Sequence, residues 1–140
     1  MNFKCTLHGS YQKDLDLIHL VAEYFQLIGV EVLCPKTFDV VKSEDGFVTF
    51  KHDSGDPIEI EAQLLQILRE NRSNPNFFAY FVNKDGYLGV SASYELAVIQ
   101  ELGVQFYALQ QIVGLPFQLA GDKLVRPIDL VRRLLYTPVS

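Results

Sequence analysis

Apolar runs of strand length alternate with segments of helical periodicity along most of the chain. The strand-length runs span residues 3–8, 30–35, 77–83 and 104–109. Apolar positions recur at the spacing of a helix within residues 12–28, 56–71, 86–103 and 127–136. The run at 77–83 is apolar until its last residue, as expected of a strand covered on both faces. This alternation predicts an α/β fold, in which a parallel sheet of about five strands carries helices on both faces.

Residues 36–55 interrupt this pattern. The stretches TFDVV and FVTF read as two short strands around the polar turn KSEDG, which predicts a hairpin or a mobile flap. The next helix is predicted to begin at Asp56, a suitable N-cap, because Pro57 suits the first helical position.

The loops that follow the strands are predicted to meet at one edge of the sheet. Parallel sheets bind ligands in the crevice beyond the carboxyl ends of their strands. The segments that should converge there are residues 8–11, 34–55 and 83–91. We therefore expect the hairpin to lie over a binding crevice, since loops over sites are typically mobile.

Glu95 is unusual within the segment GYLGVSASYELAVIQELG. At about 100° per residue, the apolar residues of this segment cluster on one side of a helix, and Glu95 points into the middle of that side. A helix dipole favours an acid near the N-terminus by about 0.3–1 kcal/mol, but it does not account for the apolar phase. In a capping box the serine or threonine stands three positions before the glutamate, whereas Ser91 and Ser93 stand four and two positions before Glu95. We interpret Glu95 as a functional carboxylate at the mouth of the crevice.

Other candidates lie in the same loops. Gly9 and Ser10 follow the first strand and offer backbone N–H groups to a phosphate, although a Gly-Ser turn is also an ordinary strand-to-helix connection. Tyr11 and Tyr87 flank the crevice, where a tyrosine ring stacks on a ligand or packs against a loop edge. Asp53 is the acid that the predicted flap would bring to the site.

Composition and charge narrow the classes of function. The 140 residues suit a single domain, residues 1–140. A net charge of −5 argues against binding to a nucleic acid polymer, which depends on basic surface. We expect a cytoplasmic protein that does not bind a membrane, because the chain has neither a bilayer-length apolar run nor a signal-peptide pattern. Cys5 and Cys34 should then be reduced and buried. The histidines lack metal-ligand spacing, so we expect no metal.

A family resemblance is carried by HGSY after the first strand, GVEVLCPK, IE before a helix, and FVNKDGYLGVSASYELAVIQELG. Together these segments, within residues 3–108, resemble the nucleoside 2-deoxyribosyltransferase superfamily. That superfamily includes the 2'-deoxynucleoside 5'-monophosphate N-glycosidases. The most specific part of the resemblance is the pattern Gly-x-Ser-x-x-x-Glu-Leu at residues 89–96.

The resemblance implies a flavodoxin-like (Rossmann-like) fold and an enzyme that cleaves or transfers the N-glycosidic bond of 2'-deoxynucleosides or their 5'-monophosphates. It implies that Glu95 is the nucleophile. The residues that it places around the sugar, the nucleoside or its phosphate are Gly9, Ser10, Gly86, Tyr87, Gly89 and Ser91. It also implies a homodimer or a higher homo-oligomer, with a nucleoside or nucleotide as its small-molecule partner. We expect no cofactor.

Two positions depart from the family's pattern. The family usually has an aspartate near the start of the strand before the loop, where it assists the leaving base. This chain has Asn76 there, and an amide cannot trade a proton as a carboxyl group can. Ala97 replaces the glycine that usually follows the glutamate by two residues. The alternatives are therefore a catalytically inactive nucleoside- or nucleotide-binding module of the same fold, and an oligomeric scaffold without a ligand.

Overall fold

A computed structural model describes residues 2–44, 47–51, 53 and 56–136. Its helices are α1 (Leu15–Leu27), α2 (Pro57–Asn71), α3 (Val90–Leu102) and α4 (Pro127–Tyr136). Its strands are β1 (Lys4–His8), β2 (Glu31–Cys34), β3 (Val40–Glu44), β4 (Phe47–Phe50), β5 (Phe77–Phe81) and β6 (Phe106–Ala108). None of the helices among these residues is long and apolar enough to cross a membrane.

The main sheet is parallel, with the strand order β2-β1-β5-β6. The predicted α/β class is confirmed, but within the described residues this sheet has four strands and not about five. Next to β6, Leu124 makes a single parallel bridge to Ala108, where a fifth strand would lie. The short helical turn Gly121–Lys123 comes directly before Leu124, which leaves no extended run there to pair further.

Two apolar layers cover the sheet, one on each face. On one face, α1 and α4 pack on β1 and β5 through Ile18, Phe25, Leu130, Leu7 and Tyr80. On the other face, α2 and α3 pack through Leu68, Leu96, Ile99, Phe77 and Phe81. All five residues of β5 are buried, which confirms the prediction of a central strand covered on both sides.

The predicted hairpin is present as a separate antiparallel pair formed by β3 and β4. The ring of Phe50 in β4 meets the ring of Tyr11 edge-on, with centroids 5.4 Å apart. Since Tyr11 follows β1, this contact brings the hairpin to the carboxyl edge of the main sheet. Asp45 and Gly46, the last two residues of the predicted turn KSEDG, lie outside the described residues, as do His52, Ser54 and Gly55.

Candidate functional site

A cavity of about 850 Å³ opens at the carboxyl ends of the parallel strands. Ligand sites in open α/β sheets are expected at this position. Every site residue that the sequence predicts, except Gly86, lines this cavity: Gly9, Ser10, Tyr11, Asp53, Tyr87, Gly89, Ser91 and Glu95. The loop after β1, the hairpin and the loop before α3 therefore meet around one space.

Gly86 has a different place from the one expected. Its φ is +80°, and a Cβ atom there would lie 2.6 Å from the carbonyl oxygen of Gln111. The residue is buried, and its carbonyl accepts a hydrogen bond from the N–H of Val113 at 3.0 Å. Gly86 thus ties the loop before α3 to the segment after β6 and is not part of the cavity lining.

Glu95 lies in the second turn of α3, which begins at Val90 after Gly89. Its side chain is buried, with 6% of the residue exposed, on the same helix face as the buried Ala92, Leu96 and Ile99. The predicted apolar phase is confirmed. A carboxylate in this position needs polar partners, because burying an unpaired charge costs several kcal/mol (about 3–5).

One partner of Glu95 is His8, the last residue of β1. His8 Nδ1 lies 2.8 Å from Glu95 Oε1, and His8 Nε2 lies 2.8 Å from the hydroxyl oxygen of Thr6. The imidazole ring also stacks on Phe81 of the neighbouring strand, at a centroid distance of 4.8 Å. Burial lowers the pKa of His8 to about 3, so the ring is neutral and bridges Thr6 and Glu95 by hydrogen bonds alone.

A second partner, Glu61, reaches the cavity from the first turns of α2. Its carboxyl group forms a hydrogen bond with that of Glu95. Two carboxyl groups can do this only if one of them carries a proton. Glu61 Oε1 is buried and receives no hydrogen bond from an N–H or O–H donor of the described residues. A buried oxygen without a donor favours the uncharged, protonated form of a carboxyl group.

The two carboxyl groups both favour their protonated forms, and Glu61 favours it more strongly. Burial, followed by the hydrogen bond to Glu95 and the charge of Glu95, raises the pKa of Glu61 to about 8. Burial also raises the pKa of Glu95, to about 7, but the hydrogen bond from Glu61 opposes that rise. Neighbouring carboxylates in a site of low polarity do not both ionise readily, so the pair titrates as a unit. Near neutral pH the pair therefore holds one proton, and the hydrogen bond between the groups favours this proton on Glu61.

Sequence reasoning missed both Glu61 and His8. A carboxylate on the apolar side of a helix identified Glu95, and the same pattern would have identified Glu61. Glu61 precedes the buried Leu64, Leu65 and Leu68 at helical spacing. His8 stands at the end of an apolar strand, two residues after Thr6. Alternate residues of a strand share one face, so the pair was predictable as neighbours.

Three other polar side chains line the cavity near the carboxyl pair. Tyr11 and Cys34 are uncharged at neutral pH, and Asp53 forms a hydrogen bond within the hairpin segment. Burial, followed by nearby acidic groups, raises the pKa of Tyr11, whose hydroxyl donates to the Leu7 carbonyl oxygen at 2.6 Å. Burial raises the pKa of Cys34 to about 12, with a further contribution from Glu95. Asp53 Oδ2 accepts a hydrogen bond from the N–H of Phe50 at 2.8 Å, which stabilises the end of β4.

Asn76 lies far from this cavity. It comes directly before β5, and its carbonyl oxygen accepts from the N–H of Lys4 at the start of β1. The amino ends of these parallel strands are on the opposite edge of the sheet from Glu95. A strand rises about 3.3 Å per residue, so five residues separate the two edges by about 17 Å. Asn76 cannot act on a ligand beside Glu95 from that position.

The residues that the structure describes include no group of three or more histidine, cysteine, aspartate or glutamate side chains placed to hold a metal ion. Comparisons of the chain with protein-family models, with curated proteins and with solved structures found no match.

Proposed function

We propose that this chain cleaves or transfers the N-glycosidic bond of 2'-deoxynucleosides or their 5'-monophosphates, through a covalent glycosyl-enzyme on Glu95. The observation that carries the proposal is the pair of neighbouring carboxyl groups, Glu61 and Glu95, that line one cavity. Glycosyl transfer with retention requires a carboxylate as nucleophile and a second carboxyl group close by as acid and base. The choice of substrate rests on the resemblance at residues 89–96.

The first step forms the covalent intermediate. The ionised carboxylate of Glu95 attacks C1' of the deoxyribosyl group, and the bond between C1' and the base nitrogen breaks. The electron pair of that bond leaves with the base, which takes the proton of the Glu61 carboxyl group. A neutral base departs, and the sugar is held as an ester of Glu95.

The second step releases the sugar. Water attacks C1', gives its proton to the carboxylate of Glu61, and displaces the carboxylate of Glu95. In transfer, a nitrogen of a second base takes the place of water. Both steps invert C1', so the product retains the starting configuration. Glu61 ends the cycle protonated and Glu95 ends it ionised.

The shape of the cavity suits a ligand of this size. Its volume of about 850 Å³ lies within the usual range of small-molecule sites, about 300–1,000 Å³. Tyr87 is about half exposed at its rim, with the ammonium group of Lys13 4.4 Å from the ring centroid. Tyr87 comes from the loop before α3 and Lys13 from the loop before α1, and Tyr87 is the one of the two that lines the cavity.

The proposal is tested by incubating the protein with a panel of 2'-deoxynucleosides and their 5'-monophosphates, with and without an acceptor base. Chromatography of the released bases distinguishes hydrolysis from transfer. Mass spectrometry of acid-quenched protein would detect the deoxyribosyl ester, which Glu95→Gln should lack. Binding without release of any base would overturn the proposal in favour of an inactive nucleoside- or nucleotide-binding module.

The proposal also includes an oligomeric state and a cellular location. The resemblance points to a homodimer or a higher homo-oligomer, and sedimentation equilibrium measures its mass directly. A cytoplasmic location agrees with the two cysteines, which are both free thiols.

A further inference from the structure

Thr6 and His8 form a polar column inside an otherwise apolar layer. Both residues are 0% exposed and lie on the same face of β1, since alternate residues of a strand point to the same side. Cys5 and Leu7, between and beside them, point instead into the layer formed with α1 and α4. Thr6 and His8 therefore face α3, and His8 contacts the carboxyl group of Glu95 there.

When Glu95 is ionised, the hydrogen bonds of this column have one consistent assignment of protons. A neutral imidazole has one N–H, so one ring nitrogen donates and the other accepts. An ionised Glu95 can only accept, which places the proton on His8 Nδ1. His8 Nε2 must then accept, and the hydroxyl of Thr6 is its donor at 2.8 Å. Stacking on Phe81 keeps the ring in the plane that both hydrogen bonds need.

We propose that Thr6 and His8 are positioning residues for Glu95: the Thr6 hydroxyl donates to Nε2 and so stabilises the His8 tautomer that donates from Nδ1, and this donor holds Glu95 ionised and oriented for attack. The inference rests on the proposed function and adds a role for two residues outside the carboxyl pair. With Oε1 engaged by His8, attack on C1' falls to Oε2. A hydrogen bond to the ionised form of a carboxyl group favours that form, and so opposes the effect of burial.

Other titratable side chains lie near Thr6, His8 and Glu95. Among the described residues, the other titratable side chains that line the cavity are Glu61, Tyr11, Cys34, Lys36, Lys51, Asp53 and Tyr87. Glu61 donates to Glu95, whereas Tyr11 and Cys34 are uncharged at neutral pH because burial raises the pKa of each. The N–H of His8 is thus a donor to Glu95 that remains when Glu61 gives up its proton in the first chemical step.

Matched variants separate the hydrogen bonds from the packing. Thr6→Val keeps the shape of the side chain and removes the hydroxyl, whereas Thr6→Ser restores it. His8→Leu fills the space without a donor, whereas His8→Asn carries an amide nitrogen at the position of Nδ1. We expect Thr6→Val to lower kcat about tenfold, in keeping with one lost hydrogen bond, and Thr6→Ser to recover most of it. His8→Leu should cost more than His8→Asn, and KM should change little in all four.

The decisive measurements do not depend on turnover. Nitrogen-15 NMR of the ligand-free protein should show the neutral Nδ1–H tautomer of His8, and Thr6→Val should shift it toward Nε2–H. Carbon-13 NMR of the Glu95 carboxyl group should show a higher titration midpoint in Thr6→Val and in His8→Leu, with recovery in Thr6→Ser and His8→Asn.

The outcomes distinguish this inference from the proposed function. If the protein releases no base but shows the Nδ1–H tautomer and the shifted Glu95 titration, the positioning role of Thr6 and His8 is supported and the proposed glycosidic function is overturned. An active protein whose His8 carries its proton on Nε2, or whose Glu95 midpoint is the same in Thr6→Val and Thr6→Ser, would overturn the inference alone. Loss of activity in Thr6→Val without a change in either NMR measurement would mean that Thr6 serves packing only.

Discussion

Glu61 of α2 and Glu95 of α3 meet across the cavity and share one hydrogen bond, although 34 positions separate them in the chain. The two helices lie on the same face of the sheet, and each carries its carboxyl group among apolar residues. Because burial makes a second negative charge costly, the pair holds one proton near neutral pH. In the proposed mechanism, this one contact favours both the ionised form of the nucleophile, Glu95, and the protonated form of the acid, Glu61.

Glu95→Gln is expected to remove nearly all turnover while leaving the binding of nucleosides largely intact. The amide keeps the shape and accepts from His8 Nδ1, but it cannot form a glycosyl ester. Loss of a covalent nucleophile should reduce kcat by several powers of ten, each equal to about 1.36 kcal/mol in the barrier. Single-turnover assays and calorimetry measure the two effects separately. Glu101→Gln, an exposed change on the same helix, is the matched control and should behave as the wild type.

Glu61→Gln is expected to slow the release of ordinary bases about 10²–10⁴-fold, the usual contribution of a general acid. The effect should nearly vanish for 7-methyl-2'-deoxyguanosine, whose base is already cationic before the bond breaks and leaves without needing a proton. Comparing kcat for the two kinds of substrate measures this difference. Glu70→Gln changes an exposed carboxylate of the same helix and serves as control. Equal slowing of both substrates would instead assign Glu61 to positioning.

Activity is expected to follow a bell-shaped pH profile with its maximum between pH values of about 7 and 8. Turnover should fall on the acid side as Glu95, whose pKa burial raises to about 7, takes up a proton. It should fall on the alkaline side as Glu61, whose pKa is raised to about 8, loses its proton. In Glu61→Gln the alkaline limb should disappear. A profile that stays flat from pH 5 to 9 would contradict the shared proton.

The sequence was sufficient to predict the layout of the fold and the position of Glu95. Alternating strands and helices define the carboxyl edge of a parallel sheet, and helix phase puts one carboxylate on a buried face. The number of strands was wrong because pairing beyond β6 depends on the path of the loop before Leu124. Loop paths are set by tertiary contacts, and not by a local pattern.

The partners of Glu95 could not be selected from the sequence alone. Phase analysis of α2 would have marked Glu61 as buried, but no local signal shows that α2 and α3 bring their carboxyl groups together. For His8, the pattern does not reveal which group its ring meets across the layer. Asn76 was considered because the family usually has an aspartate near that position. The register of β5 places Asn76 at the amino edge of the sheet, away from Glu95.

Asn76→Asp is expected to leave turnover within about twofold of the wild type. The side chain belongs to the turn before β5, where the Asn76 N–H donates to Asn74 Oδ1 at 3.0 Å, and it has no path to the cavity. Surface turn substitutions usually change stability by no more than about 0.5 kcal/mol. Steady-state assays beside Glu61→Gln would test this directly. A large gain in activity would show that a base bound in the cavity is reached from the opposite edge of the sheet.

Glu95→Gln is expected to stabilise the protein, and to do so more strongly as the pH rises. The folded pKa of Glu95 and that of Glu61 are both raised above the ordinary value of 4.5. Between pH 4.5 and about 8 the folded chain therefore binds more protons at these groups than the unfolded chain does, so their ionisation lowers the free energy of unfolding as the pH increases. The effect of His8 on stability has the opposite sign. Its pKa is lowered from 6.5 to about 3 in the folded chain, so the unfolded chain binds more protons between these pH values and the free energy of unfolding rises with pH there.

Removing the charge of Glu95 relieves its own burial and also the repulsion that raises the pKa of Glu61. We expect a gain of about 1–3 kcal/mol in the free energy of unfolding at pH 9, and little gain at pH 5, where both carboxyl groups of the folded protein are protonated. Urea denaturation of Glu95→Gln, Glu101→Gln and wild type at several pH values measures the difference. If the Glu95→Gln curve lay a constant distance from the wild-type curve at every pH, the carboxyl pair would not hold its proton as described, because only a buried, titrating group makes the difference grow with pH.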